Sequence, residues 1–304
     1  MEHRSPESPG ALAEALGATG YLADEGLATA AFLALRMRRP LFCEGEPGTG
    51  KTALAQALAT VLGAELVRLQ CYEGIDASQA LYDWDFPRQL LHLRALEATA
   101  ASRAVDTAAG RGLDVDVVEA SLYDRRFLLA RPVLRALQSS PAVLLVDEID
   151  RADDEFEAFL LEVLTEYAVS IPELGEVRAA VPPVVVLTSN RTREVHDALK
   201  RRCLYLWLDH PDVDREIAIL HARVPGLPDR LAREVAAVVH RLREADLLKP
   251  PGIAEAMDWA TALHTLGARD LDPDVAARTL GAVLKYREDT ERVHSMVRGA
   301  LFGG

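Results

Sequence analysis

One short stretch of this chain has the composition of a loop that binds phosphate groups. Residues 45–52 read GEPGTGKT and fit the pattern G-x-x-x-x-G-K-[ST], in which backbone N–H groups surround a polyphosphate. An apolar run at 41–43 precedes the loop and a helical pattern at 53–62 follows it, so the phosphates are expected at a helix N-terminus. An ordinary glycine-rich turn is the alternative. The predicted contacts to a nucleoside triphosphate are Gly45, Glu46, Pro47, Gly48, Thr49, Gly50, Lys51 and Thr52.

Two side chains of this loop have distinct expected tasks. Lys51 is the lysine of this pattern and directly follows its last glycine. It is expected to reach the β- and γ-phosphates. The hydroxyl of Thr52 is expected to bind Mg²⁺.

A pair of acids ends a long apolar run at 141–150, which reads PAVLLVDEID. A run that is apolar at every position is typical of a strand buried on both faces of a parallel sheet, and ligands bind beyond the carboxyl ends of such strands. We therefore predict that Asp147 holds the metal and that Glu148 is the general base that polarises a water for attack on the γ-phosphate. The alternative is that both acids stabilise the N-terminus of the following helix.

Two further features could complete such a site. Asn190 ends a neighbouring apolar run, and its amide could orient the same water, although a strand-to-helix cap is an equal alternative. A basic cluster at 200–203 (KRRC) stands between a helical pattern and a strand. It could be solvated surface, a charge complement to a helix C-terminus, or an arginine finger that acts in a neighbouring subunit.

Strand and helix patterns alternate up to about residue 210, and only helical patterns follow. This order predicts an α/β sheet domain followed by a small all-α domain. The predicted parts are a flexible tail at 1–14, a nucleotide-binding core at 15–210 and a helical domain at 211–304. Within them the patterns predict strands at 41–43, 65–71, 141–150, 184–187 and 204–208, a hairpin at 169–178, a surface loop at 106–116, and helices at 21–37, 53–62, 88–103, 127–137, 156–167, 194–200, 212–223, 229–246, 253–266 and 273–286.

The composition narrows the class of protein. The 34 basic and 47 acidic residues give a net charge of −13, which disfavours extensive binding to a nucleic-acid backbone. The three cysteines are far apart and form no C-x-x-C pair, so neither a disulfide framework nor a zinc site is expected. No apolar run is long enough to span a bilayer, and no signal-peptide pattern follows the polar first residues. These features predict a cytoplasmic protein.

Together these motifs resemble those of the AAA+ ATPases, and among them the MoxR type. GEPGTGKT is similar to Walker A, LLVDEID at 144–150 to Walker B, LTSN at 187–190 to sensor 1, and DALKRRCLYLWLDHP at 197–211 to the arginine-finger region. Two longer stretches carry the narrower resemblance to the carbon monoxide dehydrogenase accessory (CoxD-like) branch. They read RLQCYEGIDASQALYDWDFPRQLLHLR and IPELGEVRAAVPPVVVLTSNRTRE.

The resemblance implies a five-stranded parallel αβα core with a helical lid, assembled as a hexameric ring that binds ATP and Mg²⁺. Arg202 falls on the finger position, with Arg201 as the second choice. Residues 72–86 resemble the helix-2 insert and 169–178 the pre-sensor hairpin, elements that such rings use to engage partners. The stretch 252–259 has no arginine where the family has its sensor 2 arginine, so that role is unassigned.

The function that this resemblance implies is an ATP-driven remodelling chaperone. It would help to mature a molybdenum-containing dehydrogenase together with a von Willebrand-type partner protein. Two alternatives from other classes are a nucleic-acid-stimulated translocase and a nucleotide-dependent switch with little turnover. The excess of acidic over basic residues disfavours the translocase, and the presence of both Glu148 and Asn190 disfavours the switch with little turnover.

Overall fold

A computed structural model describes residues 6–106, 118 and 121–297 of the chain. The surface loop predicted at 106–116 lies, from residue 107 onwards, outside the described residues. In the described ranges no helix is both long and apolar enough to cross a membrane.

A parallel sheet of five strands forms the centre of the first domain, in the order β2-β5-β8-β1-β9. All six residues of β5 are buried, as expected for a strand covered on both faces. The prediction of a five-stranded parallel sheet is confirmed. Its strands are β1 (Leu41–Gly45), β2 (Glu65–Gln70), β5 (Ala142–Asp147), β8 (Val184–Ser189) and β9 (Leu204–Leu208).

Helices cover both faces of this sheet, which gives the predicted αβα layering. One apolar cluster packs α1 to α3 against the sheet, and a second packs α6 to α8 against the opposite face. The helices of this domain are α1 (Pro9–Ala18), α2 (Glu25–Met37), α3 (Lys51–Leu62), α4 (Ala77–Leu81), α5 (Phe86–Asp106), α6 (Pro132–Gln138), α7 (Asp154–Glu166) and α8 (Asp197–Arg202).

The C-terminal part is helical, as predicted, and has its own apolar core around the fully buried Trp259. Its last described helix falls where the sequence patterns predicted none. We call this part the lid. Its helices are α9 (Val213–Arg223), α10 (Asp229–Glu244), α11 (Ile253–Thr265), α12 (Pro273–Val283) and α13 (Arg287–Val297).

Two small antiparallel pairs pack beside the sheet and contribute Trp84, Val169 and Ile171 to one of its apolar clusters. The first pairs β3 (Tyr82–Trp84) with β4 (Leu128–Ala130), and the second pairs β6 (Ala168–Ile171) with β7 (Gly175–Arg178). The second pair occupies the segment for which the sequence predicted a hairpin.

The predicted flexible tail at 1–14 is wrong at its C-terminal side, because α1 begins at Pro9. The Ser8 hydroxyl accepts a hydrogen bond from the N–H of Ala11 at 3.1 Å and so caps this helix. Leu12 and Leu16 are fully buried against the sheet domain, and this burial keeps the short helix in place.

The predicted helix at 127–137 is also wrong in its first half. Residues Arg125–Phe127 form a single 3₁₀ turn, Leu128–Ala130 form β4, and helix α6 begins only at Pro132. A proline disfavours helical geometry in the residue before it, and Arg131 is accordingly extended. The strand β4 then pairs with β3, a contact that helical periodicity does not reveal.

Candidate nucleotide-binding site

The predicted phosphate loop connects β1 to α3, as its flanking patterns indicate. Gly50 is the residue before the helix and has φ 92°, in the left-handed region that glycine adopts readily. Gly45 is required for a different reason. A Cβ atom there would lie 2.2 Å from the carbonyl oxygen of Leu208 on the neighbouring strand β9. The first glycine of the motif therefore allows the two strands to pair closely.

Lys51 is the first residue of α3, and its side chain folds back against the loop that precedes the helix. Its Nζ donates hydrogen bonds to the carbonyl oxygens of Gly45 and Glu46, each at 2.7 Å, and the residue is only 6% exposed. Burial lowers the pKa of Lys51, against the attraction of nearby acids. The ammonium group is therefore held at the wall of the site by its own loop.

The residues predicted to bind Mg²⁺ are in direct contact. The hydroxyl of Thr52 donates to Oδ1 of Asp147 at 3.0 Å, and the hydroxyl of Thr188 donates to the same oxygen at 2.6 Å. Arg68 donates to Oδ2 of Asp147 from Nε at 3.0 Å and from Nη2 at 2.6 Å. A carboxylate beside a hydroxyl supplies the oxygen ligands that Mg²⁺ prefers, so this pair of residues fits the metal.

Glu148 directly follows β5 with φ 56° and ψ 51°, in the left-handed region. Its N–H donates to the hydroxyl of Thr188 at 2.9 Å. Its carboxylate accepts hydrogen bonds from Gln70 Nε2 at 3.1 Å and Asn190 Nδ2 at 3.3 Å, and pairs with Nε of Arg151 at 3.0 Å. The two residues predicted to act on the water are thus in contact with each other.

Asp150 organises the turn that carries Asn190. Its carboxylate accepts hydrogen bonds from the N–H of Asn190 at 3.2 Å and from the N–H and hydroxyl of Thr192 at 2.8 and 2.7 Å. Asp150 is 2% exposed. Sequence reasoning assigned no role to Asp150, although it stands in the same apolar run as Asp147 and Glu148.

Six of these residues line a cleft of about 1090 Å³, which is close to the upper end of the size range of small-molecule sites. They are Lys51, Thr52, Asp147, Glu148, Thr188 and Asn190. The segment before α2 contributes Tyr21 and Leu22 to the lining, and the lid contributes Ile219 and Arg223. The cleft thus lies between three parts of the chain that are distant in sequence.

The lid touches the phosphate loop through its backbone. The N–H of Ile253, at the start of α11, donates to the carbonyl oxygen of Gly48 at 2.9 Å. A Cβ atom on Gly48 would lie 2.8 Å from Cα of Gly252, and one on Gly252 would lie 2.7 Å from Cα of Gly48. This backbone contact falls in the stretch where the sequence has no arginine.

A second contact ties the lid to the segment before α2. Nη2 of Arg215 on α9 donates to the carbonyl oxygen of Leu22 at 2.8 Å, and its Nη1 pairs with Asp24. Asp24 also caps α2 by accepting a hydrogen bond from the N–H of Leu27 at 2.7 Å. The lid is therefore bonded to the sheet domain at two places that line the cleft, the phosphate loop at Gly48 and the segment before α2 at Leu22.

His210 lies in the cleft between β9 and the lid. Burial lowers its pKa to about 4, and the positive charges of Arg243 and Lys51 act in the same direction against Asp209 and Glu255. Within the described ranges its buried Nδ1 has no hydrogen-bond partner. Its imidazole is therefore neutral at physiological pH.

The predicted finger residues lie elsewhere. Arg201 and Arg202 are exposed at the end of α8, and neither is among the described residues that line the cleft. The guanidinium of Arg39 donates to three successive carbonyl oxygens, those of Arg201 at 2.7 Å, Arg202 at 3.1 Å and Cys203 at 3.1 Å. The structure does not bring these arginines to the site of their own chain.

A family model described as AAA domain (dynein-related subfamily) matches residues 40–203, more than half of the chain. The chain belongs to this family. The matched range of the AAA domain contains the phosphate loop, both acids at the end of β5 and Asn190.

Comparisons beyond this family match are weaker. Midasin from Giardia intestinalis is 48% identical over 48 residues, which are 16% of this chain and 1% of midasin, so the chain spans about a hundredth of that relative. Among solved structures, Thermotoga maritima RuvB, described as a Holliday junction branch migration motor, is 17% identical. The alignment covers 100% of this chain and 82% of RuvB, with a TM-score of 0.48. A point mutant of RuvB is 18% identical to this chain. That alignment covers 92% of this chain and 76% of the mutant chain, with a TM-score of 0.48.

Proposed function

We propose that this AAA domain protein is a Mg²⁺-dependent ATPase. The observation that carries the proposal is that one cleft is lined by Lys51, Thr52, Asp147, Glu148 and Asn190. These five side chains provide a cation, a pair of metal ligands, a base and an amide, which are the groups that phosphoryl transfer to water requires.

Each side chain has a proposed task. Lys51 and the loop amides bind the β- and γ-phosphates, and Thr52 and Asp147 hold the metal. When bound, Mg²⁺ neutralises phosphate charge. Glu148 accepts a proton from the attacking water, and the contact from Asn190 Nδ2 at 3.3 Å places the amide where it can orient that water.

The Glu148→Gln variant tests the assignment of the base. It should bind a fluorescent ATP analogue normally and lose at least about 100-fold in phosphate release, since general-base catalysis contributes roughly that much. Lys51→Ala should lose nucleotide binding itself. Glu155→Gln is the matched control, because Glu155 is an exposed acid on nearby α7. Normal turnover in Glu148→Gln would show that another group is the base.

We further propose the narrower function that the sequence implies. The protein would be a MoxR-type, CoxD-like remodelling ATPase that acts as a hexamer in the cytoplasm on a molybdenum-containing dehydrogenase, together with a von Willebrand-type partner. Exposed apolar side chains around the insert support a protein client, because apolar groups that cluster at a surface commonly mark interaction sites. They are Phe86, Leu90, Leu91 and Leu129.

Co-purification tests this narrower proposal. A tagged Glu148→Gln variant, which should retain ATP and its client, is expected to capture the dehydrogenase or the von Willebrand-type partner. Replacing Phe86 and Leu91 by serine in this tagged variant should lower capture. The same two replacements made with Glu148 intact should leave basal ATP hydrolysis normal. Capture of neither protein, with ATPase activity indifferent to both, would reject the client assignment and leave the ATPase assignment intact.

A further inference from the structure

Arg68 makes an ion pair with the proposed metal carboxylate. It lies on β2, which pairs with β5 in the sheet, and its guanidinium donates to Oδ2 of Asp147 at 3.0 and 2.6 Å. The Asp147 side chain is 4% exposed, whereas that of Arg68 is 53% exposed. One partner is therefore fixed inside the site, and the other reaches it from solvent.

The two oxygens of Asp147 have different partners. Oδ1 accepts the hydroxyls of Thr52 and Thr188 at 3.0 and 2.6 Å. Oδ2 accepts both guanidinium hydrogen bonds and a longer contact from Thr52 at 3.3 Å. Within the described ranges, Arg68 is the cationic side chain that pairs with this carboxylate.

Burial makes this cation necessary when no metal is bound. An ionised carboxylate removed from water is costly unless it is paired and hydrogen-bonded. An arginine keeps its charge at all relevant pH values, so Arg68 cannot avoid a nearby metal by losing a proton. A second cation at Oδ2 would therefore be repelled by Arg68.

We propose that Arg68 neutralises Asp147 while the cleft is empty and competes with Mg²⁺ for its Oδ2, so that metal binding requires the guanidinium to move away. This inference rests on the proposed role of Asp147 as the metal carboxylate. The exposed side of Arg68 leaves room for that movement, because its charged end can enter solvent while its stem stays on the strand. Arg68 is thus a positioning residue that sets the concentration of Mg²⁺ at which the site fills.

The direction of the effect distinguishes competition from a structural role. If Arg68 only supported Asp147, its removal would disorder the carboxylate and raise the Mg²⁺ concentration needed for binding. If Arg68 competes, its removal lowers that concentration. The two roles therefore predict shifts of opposite sign.

The test is a Mg²⁺ titration of the full chain with a fluorescent ATP analogue, read as binding and not as turnover. In Arg68→Gln the half-saturating Mg²⁺ concentration should fall about fivefold or more, the size of an ordinary coupling between two bound groups. Arg68→Lys keeps the charge but loses the two-bond contact, so its half-saturating Mg²⁺ concentration should lie between those of Arg68→Gln and the original protein. This variant replaces Arg68→Gln in the test if Arg68→Gln does not fold. Arg135→Gln is the matched control, because Arg135 pairs with Glu65 on the same strand β2 and does not contact Asp147.

An unchanged or higher half-saturating concentration in both Arg68 variants would overturn the proposal. Thr52→Ala and Asp147→Asn show whether the premise holds, since each should raise the Mg²⁺ requirement if these residues hold the metal. If they do so while Arg68→Gln has no effect, competition is wrong and the proposed metal site stands. If none of the variants changes the requirement, the metal assignment itself fails.

Discussion

Glu148, the proposed base, has a strained backbone conformation. A residue other than glycine in the left-handed region costs about 1–3 kcal/mol and persists only where its surroundings enforce it. Here the Glu148 N–H donates to Thr188, and its carboxylate contacts the amides of Gln70 and Asn190. The proposed base thus lies between the ends of two neighbouring strands, in contact with Gln70 on one side and Asn190 on the other.

The burial of His210 predicts acid sensitivity. Its pKa is about 4 in the folded protein and about 6.5 in an unfolded chain, so the unfolded state binds more protons between these values. Stability from this residue is complete above about pH 6.5 and is lost as the pH falls towards 4.

We therefore expect the His210→Gln variant to lose less thermal stability than the original protein between pH 7 and pH 5. Melting temperatures measured across this range test the expectation. His294→Gln is the control, since His294 is exposed. If the melting temperatures of His210→Gln and of the original protein fall by the same amount between pH 7 and pH 5, His210 does not cause the acid sensitivity.

At the scale of elements, the contact between α11 and the phosphate loop needs glycine on both sides. In Gly252→Ala the new Cβ would lie 2.7 Å from Cα of Gly48 and 3.1 Å from its carbonyl oxygen, so the helix must move away from the loop. Overpacking of this kind costs about 1–3 kcal/mol, and we expect ATP to bind about tenfold more weakly.

Equilibrium binding of a fluorescent ATP analogue measures this effect. Gly281→Ala is the control, because a Cβ on this helical glycine of α12 meets no atom within 4 Å. It should bind ATP normally and stabilise the lid by about 0.5–1 kcal/mol. Normal binding by Gly252→Ala would show that the lid does not act on the loop through this contact.

A buried ion pair holds the lid helices together. Arg243 on α10 donates to both oxygens of Glu216 on α9 at 2.8 and 2.7 Å, and to the carbonyl oxygen of Pro251 at 2.8 Å. The two side chains are 8% and 0% exposed. Burial raises the pKa of Glu216, and the hydrogen bonds from Arg243 oppose this shift.

Replacement of Arg243 by methionine should destabilise the lid by about 3–5 kcal/mol, because Glu216 would remain as a buried charge without a partner. Urea unfolding measures the loss. The double variant Glu216→Leu with Arg243→Met should recover most of it, and Arg230→Met, which breaks an exposed pair with Glu234, should cost at most about 1 kcal/mol. Equal losses in the single and double variants would contradict this explanation.

For the whole molecule, the proposed ring would account for the exposed positions of Arg201 and Arg202. Both lie outside the cleft of their own chain, although the sequence predicts that one acts on a γ-phosphate. Arg39 fixes the end of α8 that presents them. In the proposed ring, one of these arginines would reach the cleft of a neighbouring subunit.

Mixing two inactive variants tests this arrangement. An Arg202→Ala subunit keeps its phosphate loop, and a Lys51→Ala subunit keeps its finger. An interface is active only where the first supplies the loop and the second supplies the finger, so at equal ratio about a quarter of the interfaces in a mixed ring should regain ATPase activity. Lys51→Ala mixed with Glu148→Gln is the control, because both changes damage the same side of the interface. An absence of recovery at every ratio would remove Arg202 from the proposed site.

Local spacing in the sequence is enough to predict several features of this protein. The loop at 45–52, the acids at the end of an apolar run, and the alternation of strands and helices are written in consecutive residues, so the fold class and the candidate residues Lys51, Asp147 and Glu148 could be predicted.

Local spacing does not predict which strand ends are neighbours, because pairing joins residues that are far apart in the chain. The order β2-β5-β8-β1-β9 places Arg68 and Gln70 beside the acids of β5, and Asp150 beside the turn at Asn190. Periodicity records whether a residue is buried but not which residue faces it across a sheet, and so the competing cation at Asp147 could not be predicted. The same reason explains why the sequence predicts helix at β4, which is stabilised by pairing with β3.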